Sequence, residues 1–395
     1  MGSFAEQWCL DESVIYLNHG AYGACPRRVL ELQQELRDEM ERQPVAFFER
    51  RYHALLDEAR ERLAEFVGAD SEGIVRVANA TSGVNTVLRC LALKPGDELL
   101  VTDHTYNACR NAMNEVARSV GAKVVVAEIP FPIDRPERVV ELVLSHAGDR
   151  TAFALIDHVT SSTALVLPVE AITRELEARG VPVMIDGAHA PGMLPLDIGS
   201  LGASWYTGNG HKWICAPRGA GFLWARPDKR KALRPLVISH GVNLPRAGRS
   251  RYHDEFDWTG TDDPTAFLSL PAAIDTLGSM VDGGWPEVRS RNRALALAGR
   301  RMLIDALNLP SPAPEEMIGT IAAIPLPESA SNERYGADPL QEKLRQDYRI
   351  EVPVMAPPVS GRIKRVGSTV TATDRTGFTG DQALTMFWRA QCPPF

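Results

Sequence analysis

The chain has 395 residues, 44% hydrophobic and 24% charged, so it can bury a large core and is predicted to hold two subdomains. Its formal charge is −7 without a basic block, which argues against nucleic acid or an anionic membrane as a partner. The N-terminal residues lack the basic and apolar regions of a signal peptide, and the six cysteines contain no C-x-x-C pair. These features predict a cytoplasmic protein with reduced thiols, no zinc site and no disulfide framework.

The first predicted elements are a short apolar run at residues 13–16 and the loop behind it. This loop, L-N-H-G-A-Y-G-A-C-P, contains Asn18, His19 and Tyr22. Pro26 then precedes apolar residues at helical spacing, and the same spacing returns in residues 53–68, so a helix is predicted in each stretch. A plain turn before a helix explains the loop as well as a binding role does.

The next predicted strand ends near Asn79, and Thr81, Ser82 and Gly83 open a helix. A turn of small residues at a helix N-terminus offers unpaired backbone N–H groups and a favourable dipole to an anion. The two hydroxyls would add donors. Thr-Ser-Gly is also good helix-capping chemistry, so the motif alone leaves both interpretations open. No dinucleotide-type G-x-G-x-x-G follows a strand in this region.

Two further apolar runs each lead into a polar loop. The run D-E-L-L-V-T is followed by a loop that contains His104 and Tyr106. The run T-A-F-A-L-I-D-H is followed by a loop that contains Ser161. Both runs are predicted to be buried strands.

The stretch from Val181 to Trp213 carries the strongest chemical signal. A short apolar strand ends on Asp186, and a glycine-rich turn, G-N-G-H-K, later presents Lys212. A carboxylate and a lysine at neighbouring strand ends suit pyridoxal 5'-phosphate (PLP), since the lysine forms a Schiff base and the acid keeps the pyridine nitrogen protonated. A lone lysine is usually a solvated charge and a lone Asp usually a cap. Their combination with an anion-binding turn favours the PLP site.

The pattern changes beyond Leu268. A long helix is predicted over residues 288–307, and strands are predicted for I-G-T-I-A-A-I-P-L (318–326) and Y-R-I-E-V-P-V-M (348–355). This indicates a separate α+β subdomain. The predicted division is a large PLP-binding α/β domain at 14–267 and a small α+β domain from 1–13 and 268–395.

The segment D-G-A-H-A … G-N-G-H-K-W, with Asp186, His189 and Lys212 in this order, resembles the class V aminotransferase family. Its isopenicillin N epimerase-like branch is the most similar, and enzymes of lincosamide-type pathways that process cysteine S-conjugates also look alike. The resemblance spans residues 14–270 and is looser thereafter. It implies PLP fold type I, an α/β fold with a mostly parallel central sheet in the large domain. It also implies PLP as cofactor and a homodimer with shared active sites.

The resemblance further implies roles for individual residues. Lys212, Asp186 and His189 are the expected catalytic residues, with Lys212 as the general base toward the Cα proton. The expected cofactor contacts are Thr81, Ser82, Gly83, His104, Tyr106, Ser161, Asp186, His189, Asn209, His211, Lys212, Gly260 and Thr261. Among these, Tyr106 would stack on the cofactor ring with His104 in reserve, and Thr261 would reach the phosphate of the neighbouring subunit.

The expected substrate contacts are Asn18, His19, Tyr22 and Arg365. Arg365 would grip the α-carboxylate of an amino-acid substrate, because its planar fork fits a carboxylate. The alternative is that Arg365 belongs to a solvated basic cluster in R-I-K-R. Relatives have a neutral residue at the position of Arg218. This arginine is therefore either a substrate-binding feature or a surface charge.

Several reactions fit this site. β-Elimination at the C–S bond of a cysteine S-conjugate, in secondary metabolism, is favoured slightly over amino-acid epimerisation. Transamination and decarboxylating oxidative deamination are further alternatives. A sulfur-relay desulfurase is disfavoured, because no cysteine lies between Cys215 and Cys392 to carry sulfur near the carboxylate-binding arginine. A catalytically silent PLP-fold scaffold is the outsider, disfavoured by the intact Asp186, His189 and Lys212.

Overall fold

The computed structural model describes residues 4–326 and 338–355 of the chain. Its strands are β1 (Ile15–Tyr16), β2 (Ile74–Val77), β3 (Glu98–Thr102), β4 (Lys123–Ala127), β5 (Thr151–Asp157), β6 (Val183–Gly187), β7 (Trp205–Asn209), β8 (Gly221–Ala225) and β9 (Ile350–Glu351). Its α-helices are α1 (His19–Tyr22), α2 (Arg27–Arg42), α3 (Pro44–Ala46), α4 (Tyr52–Val67), α5 (Ala80–Cys90), α6 (Asn107–Val120), α7 (Glu137–Ser145), α8 (Val169–Ala178), α9 (Pro227–Arg230), α10 (Arg251–Asp257), α11 (Thr265–Leu268), α12 (Leu270–Gly278), α13 (Gly284–Leu307) and α14 (Pro339–Tyr348).

Seven strands form the central sheet, in the order β2-β8-β7-β6-β5-β3-β4. Strand β8 is antiparallel to both of its neighbours, and all other pairs are parallel. The predicted α/β fold with a mostly parallel sheet is therefore confirmed. Strand β3 has β4 on one side and β5 on the other, so the direction of strand addition reverses between β3 and β5. Such a switch point opens a crevice at the carboxyl ends of the strands, where ligands bind in folds of this kind.

Alternate residues of each strand enter two separate apolar layers. In β5, Phe153 and Leu155 pack with α5 and α6, whereas Ala154 and Ile156 pack with α4, α7 and α8. Both faces of the sheet are thus covered by helices, which is why its strands read as nearly continuous apolar runs. This burial holds the polar residues at the strand ends in fixed positions.

Helix boundaries follow local sequence signals. The Asn79 side chain caps α5 by accepting a hydrogen bond from the Ser82 N–H at 2.9 Å. Helix α2 begins directly after Pro26, and α4 ends at Val67; the following Gly68 has a φ of 61°, and a Cβ there would overlap the Asp197 backbone. The helices predicted behind Pro26, over residues 53–68 and over residues 288–307 are confirmed as α2, α4 and α13.

Strands β1 and β9 form a second, two-stranded parallel sheet. Ile15 pairs with Ile350, and Tyr16 pairs with Glu351. This sheet joins β1, which lies within the predicted large domain, to β9 of the predicted small domain. Helix α12 packs against α2 and α4. The division at residues 14–267 stays a prediction.

The expectation of a strand at 318–326 is wrong. Ile318 makes only an isolated antiparallel bridge to Leu165, and the segment continues without strand structure. Its apolar residues bury against the loops behind β5 and β6 instead, where Gly319 lies so close to Met193 that a Cβ would overlap the sulfur. The strand predicted over 348–355 shortens to β9. No helix within residues 4–326 and 338–355 has both the length and the hydropathy of a membrane span.

Candidate active site

The strongest predicted site residues meet at the carboxyl edge of the central sheet. Asp186 lies at the end of β6, and Lys212 follows the end of β7 by three residues. Neighbouring parallel strands place their carboxyl ends side by side, so these two side chains belong to one crevice. Asp157 at the end of β5 and the N-terminus of α5 border the same edge.

The Lys212 amine faces the imidazole of His189. Lys212 Nζ lies 2.9 Å from His189 Nε2, and the indole N–H of Trp213 donates to His189 Nδ1 at 3.4 Å. Because an indole N–H can only donate, Nδ1 must be an acceptor, and the proton of the neutral imidazole is on Nε2. When the Lys212 amine is uncharged, its lone pair can accept that proton.

Electrostatics support the uncharged pair. Burial lowers the pKa of Lys212 to about 8, although the nearby Asp186 opposes the shift. Burial, with the adjacent Lys212 as a second cause, holds the pKa of His189 well below its ordinary value. A neutral lysine amine is the form that attacks a carbonyl or takes a proton, so a pKa of about 8 gives Lys212 a larger reactive fraction near neutral pH than an ordinary lysine has.

The N-terminal loop closes over the backbone of the lysine loop. His19 Nε2 donates to the carbonyl oxygen of Lys212 at 2.8 Å, since the Ala24 N–H occupies Nδ1 at 3.4 Å. Gly23, with a φ of 67°, lies so close to the His211 carbonyl that a Cβ would overlap it. His19 was predicted to contact substrate, but its ring is committed to positioning the Lys212 backbone.

The other residues of this loop are placed differently. The Asn18 amide lies 3.5 Å from Glu351 Oε1, and the Tyr22 side chain is 69% exposed. Arg218 is exposed and donates to the carbonyl oxygen of Gly23 at 3.1 Å, which fastens the loop from outside. Among the predicted substrate contacts in this loop, Tyr22 is therefore the one whose side chain is open to solvent.

Asp186 is a buried carboxylate with few partners. Its Oδ1 accepts from the Ala188 N–H at 3.0 Å, and its Oδ2 accepts from Cys109 Sγ at 3.3 Å. Burial raises its pKa, while the Ala188 N–H, the Cys109 thiol and the charge of Lys212 oppose the rise. A cationic nitrogen placed against this carboxylate would favour its ionised form.

Sequence reasoning missed a second buried carboxylate, Asp157. It pairs in register with Asp186 on the adjacent strand, and its Oδ2 has no hydrogen-bond partner. Its Oδ1 accepts from the Tyr106 N–H at 3.4 Å. Burial first and the charge of Asp186 second raise its pKa well above the ordinary value. A signal was present, because β5 and β6 both end in Ile-Asp and parallel neighbours place such endings side by side.

The start of α5 is tied to the end of β7. Asn209 Oδ1 accepts from the Ala80 N–H at 2.9 Å, and Ser82 Oγ donates to the Asn79 cap at 3.2 Å. Gly83 was predicted to belong to an anion cradle, yet its lack of a Cβ serves packing, because a Cβ would overlap Thr207 on β7. Thr81 lies beside the Cys109 thiol, near the acidic end of the site.

The loop behind β3 contributes two rings, His104 and Tyr106. Both ring nitrogens of His104 are hydrogen-bonded within the protein, whereas Tyr106 is partly exposed to solvent. His104 Nε2 donates to the Ile129 carbonyl at 2.9 Å, so its Nδ1 accepts from the Thr163 hydroxyl at 2.7 Å. Tyr106 is 46% exposed, and its hydroxyl stays protonated because burial raises its pKa. The stacking of Tyr106 on the cofactor ring stays a prediction. Ser161 is half-buried in the neighbouring turn.

Two predicted regions lie away from these contacts. Gly260, with a φ of 120°, and the exposed Thr261 precede Asp262, which pairs with Arg76 at 2.9 Å. Their predicted contact with a neighbouring subunit stays a prediction. Arg365 lies outside the described residues.

In residues 4–326 and 338–355 no group of three or more His, Cys, Asp or Glu side chains is arranged to hold a metal ion.

The donor set fits PLP. Asp186 and the unpartnered Asp157 Oδ2 suit a protonated ring nitrogen, and the Lys212 amine lies in the same crevice. The α5 N-terminus and the buried His211 Nδ1, which has no partner, suit a phosphate. When bound, PLP supplies an electron sink that stabilises negative charge at the substrate Cα. The protein residues supply the anchor, the base and the electrostatic partner of the ring.

The chain is similar in sequence and fold to known proteins. The family Aminotransferase class-V matches residues 15–323. The chain is 35% identical to isopenicillin N epimerase of Amycolatopsis lactamdurans, over 92% of both chains. It is 30% identical to putative L-cysteine desulfhydrase 1 of Oryza sativa subsp. japonica, over 93% of this chain and 77% of that protein. The apo cysteine desulfurase of Thermococcus onnurineus NA1 shares its fold, with a TM-score of 0.73 over 89% and 87% of the chains at 18% identity.

The chain therefore belongs to the class V aminotransferase family, and it is a PLP-dependent enzyme. The PLP cofactor, the fold type I architecture and the similarity to the isopenicillin N epimerase branch, all predicted from sequence, are confirmed.

The lowered pKa of Lys212 predicts how cofactor loading depends on pH. Only the neutral amine attacks the PLP aldehyde, and the neutral fraction grows as the pH rises through the pKa of the amine. The rate of PLP incorporation into apoprotein should rise with a midpoint near 8, below the ordinary lysine value of 10.5. Stopped-flow absorbance of the lysine-linked cofactor measures it.

The matched controls for this measurement are Lys212→Ala and Lys123→Ala. The first should incorporate no covalent PLP, and the second, which changes an exposed lysine at the start of β4, should load like wild type. A midpoint at the ordinary lysine value would contradict the buried, uncharged amine.

Proposed function

We propose that this enzyme cleaves the C–S bond of an S-substituted cysteine by β-elimination, releasing a thiol and 2-aminoacrylate, which water hydrolyses to pyruvate and ammonium. The observation that carries the proposal is the pair formed by the Lys212 amine, whose pKa is lowered to about 8, and His189, 2.9 Å apart in a buried crevice. Lys212 removes the Cα proton, and the ammonium that results can deliver that proton to the departing sulfur. One acid–base group therefore completes an elimination.

Similarity to a putative L-cysteine desulfhydrase over 93% of the chain supports C–S chemistry. Among the described residues, His189 is the titratable side chain hydrogen-bonded to Lys212 Nζ. Its pKa, held well below the ordinary value, makes it a neutral donor. It orients the amine and does not compete for the proton.

Epimerisation is the second candidate, and a specific observation favours it. Isopenicillin N epimerase of Amycolatopsis lactamdurans matches over 92% of both chains. An epimerase must return a proton to the opposite face of Cα, which calls for a second proton donor. Tyr106 carries a protonated hydroxyl at the same edge of the sheet, and it is our candidate for that donor.

We also make proposals for the oligomeric state, the pathway and the cellular location of the enzyme. We infer a homodimer, supported by the exposed apolar side chains of Leu236, Val237, Ile238, Val242 and Leu244. Exposed apolar clusters of this kind commonly mark contacts between proteins. Secondary metabolism is supported by the similarity to isopenicillin N epimerase. A cytoplasmic location is supported by scattered cysteines without a C-x-x-C pair.

Product analysis separates the reaction types. Holoenzyme incubated in D₂O with L-cysteine, cystine and a panel of S-alkyl and S-aryl cysteines should release pyruvate with hydrogen sulfide, cysteine persulfide or the matching thiol, respectively, measured by mass spectrometry. Lys212→Ala should lose more than the ~10²–10⁴ typical of one general base, because it also loses the anchor. Lys123→Ala should react like wild type.

Other outcomes of this experiment reject the elimination. Inversion at Cα with deuterium uptake and no thiol would assign the enzyme as an epimerase. A keto acid that retains the sulfur substituent would indicate transamination or oxidative deamination. A loaded cofactor without any reaction across the panel would favour a silent scaffold.

We also propose that Arg365 grips the substrate α-carboxylate. Loss of one partner of such a desolvated charge pair weakens binding by about 2–5 kcal/mol. Wild type should strongly prefer an amino acid to its carboxamide, Arg365→Ala should lose most of this preference, and Arg365→Lys should restore it poorly. Steady-state kinetics with both substrates measure the effect. If Arg365→Ala discriminates like wild type, Arg218 becomes the candidate for this role.

A further inference from the structure

Two cysteines oppose each other where the N-terminal segment meets the start of α2. Trp8 and Pro26 form an isolated antiparallel bridge, so Cys9, which follows Trp8, stands opposite Cys25, which precedes Pro26. Opposed residues of an antiparallel pair have Cα atoms about 4.5–5.5 Å apart and side chains on one face. A disulfide spans Cα separations of about 4.4–6.8 Å. The register of the bridge therefore places these two free cysteines opposite each other, and the electrostatic effect of Cys9 on the pKa of Cys25 agrees with their being close.

Further contacts hold both sides of this bridge. Arg27 Nε donates to the carbonyl oxygen of Glu6 at 3.1 Å, directly beside the bridged pair. The Trp8 ring packs edge-on against His19, with ring centroids 6.3 Å apart. The cysteine pair therefore sits on a fixed piece of backbone, next to the imidazole that holds the Lys212 carbonyl.

The two thiols have different surroundings. Cys9 is exposed, whereas Cys25 is half-buried against the core. Burial raises the pKa of Cys25 to about 12; Arg218 opposes this shift and the neighbouring Cys9 adds to it. Since the thiolate is the nucleophile in disulfide exchange, Cys9 is suited to attack an external disulfide and Cys25 to resolve the product slowly.

We propose that Cys9 and Cys25 form a thiol–disulfide exchange site that reacts with low-molecular-weight disulfides. The Cys9 thiolate attacks a disulfide RSSR, an S–S bond forms between Cys9 and one sulfur, and one RS⁻ leaves. The Cys25 thiol then loses its proton to solvent and attacks the Cys9 sulfur, and the second RS⁻ leaves. The Cys9–Cys25 pair is oxidised by two electrons, and RSSR is reduced to two thiols.

The bond would tether both ends of the segment that covers Lys212. The closed loop, residues 9–25, contains β1, α1 and the predicted substrate contacts Asn18 and Tyr22. A crosslink at its base limits how far this segment can open, so oxidation should slow turnover. Only this last consequence rests on the proposed function; formation of the bond does not.

Oxidation of the holoenzyme with glutathione disulfide tests the site. Non-reducing peptide mapping should find a peptide that links Cys9 to Cys25, and the reaction should accelerate as the pH rises toward the pKa of Cys25. Thermal unfolding of the oxidised protein should shift up by a few degrees, because the crosslink restricts the unfolded chain. Dithiothreitol should reverse both changes.

Three single variants make the test specific. Cys25→Ser should stop at a stable glutathione adduct on Cys9, and Cys9→Ser should form neither adduct nor crosslink at these positions. Cys90→Ser changes a half-buried cysteine whose sulfur accepts a hydrogen bond from the Arg234 N–H, and this variant should oxidise like wild type. A stable Cys9 adduct in wild type, or a crosslink from Cys25 to Cys215 instead, would overturn the proposal. A crosslinked enzyme that turns over no substrate before or after reduction would reject the proposed function while leaving the exchange site intact.

Discussion

Burial of Asp186 beside a second carboxylate is the constraint on which the site depends. Asp186 and Asp157 are register partners on adjacent strands, both are almost fully buried, and burial raises the pKa of each. Two carboxylates so placed cannot both ionise without a compensating positive charge. The Ala188 N–H and the Cys109 thiol compensate only in part. A protonated ring nitrogen would supply the missing positive charge, so the two carboxyl groups suit a cationic heterocycle.

The same burial sets the state of Lys212, whose pKa falls to about 8 although carboxylates are near. Its side chain meets the N–H of His189, and its carbonyl meets the N–H of His19. Both imidazoles have depressed pKa values, so neither adds a positive charge that would compete with the cofactor. The lysine is therefore positioned by hydrogen bonds to neutral rings. Such positioning directs the amine without the negative charge of a salt-bridge partner, which would stabilise its ammonium form.

Local sequence signals predicted much of this arrangement. The apolar run ending on Asp186 and the glycine-rich turn before Lys212 identified two strand ends, and helical spacing identified α2, α4 and α13. The sequence did not predict the roles of residues that depend on tertiary contacts. Asp157 matters because β5 pairs with β6, and Gly83 because α5 packs on β7. Residues 318–326 have the composition of a strand, but packing overrode β propensity there.

The most direct test of the account is the rate of Cα proton removal in Asp186→Asn. This rate, measured as deuterium uptake at Cα of a bound amino acid by NMR, reports a step that elimination and epimerisation share. Asp186→Asn should retain PLP yet exchange about 10²-fold more slowly or worse, the range seen when one electrostatic stabiliser is removed. Asp149→Asn, which changes an exposed carboxylate, should exchange at the wild-type rate. Exchange by Asp186→Asn at the wild-type rate, with PLP bound, would contradict the central role of this carboxylate.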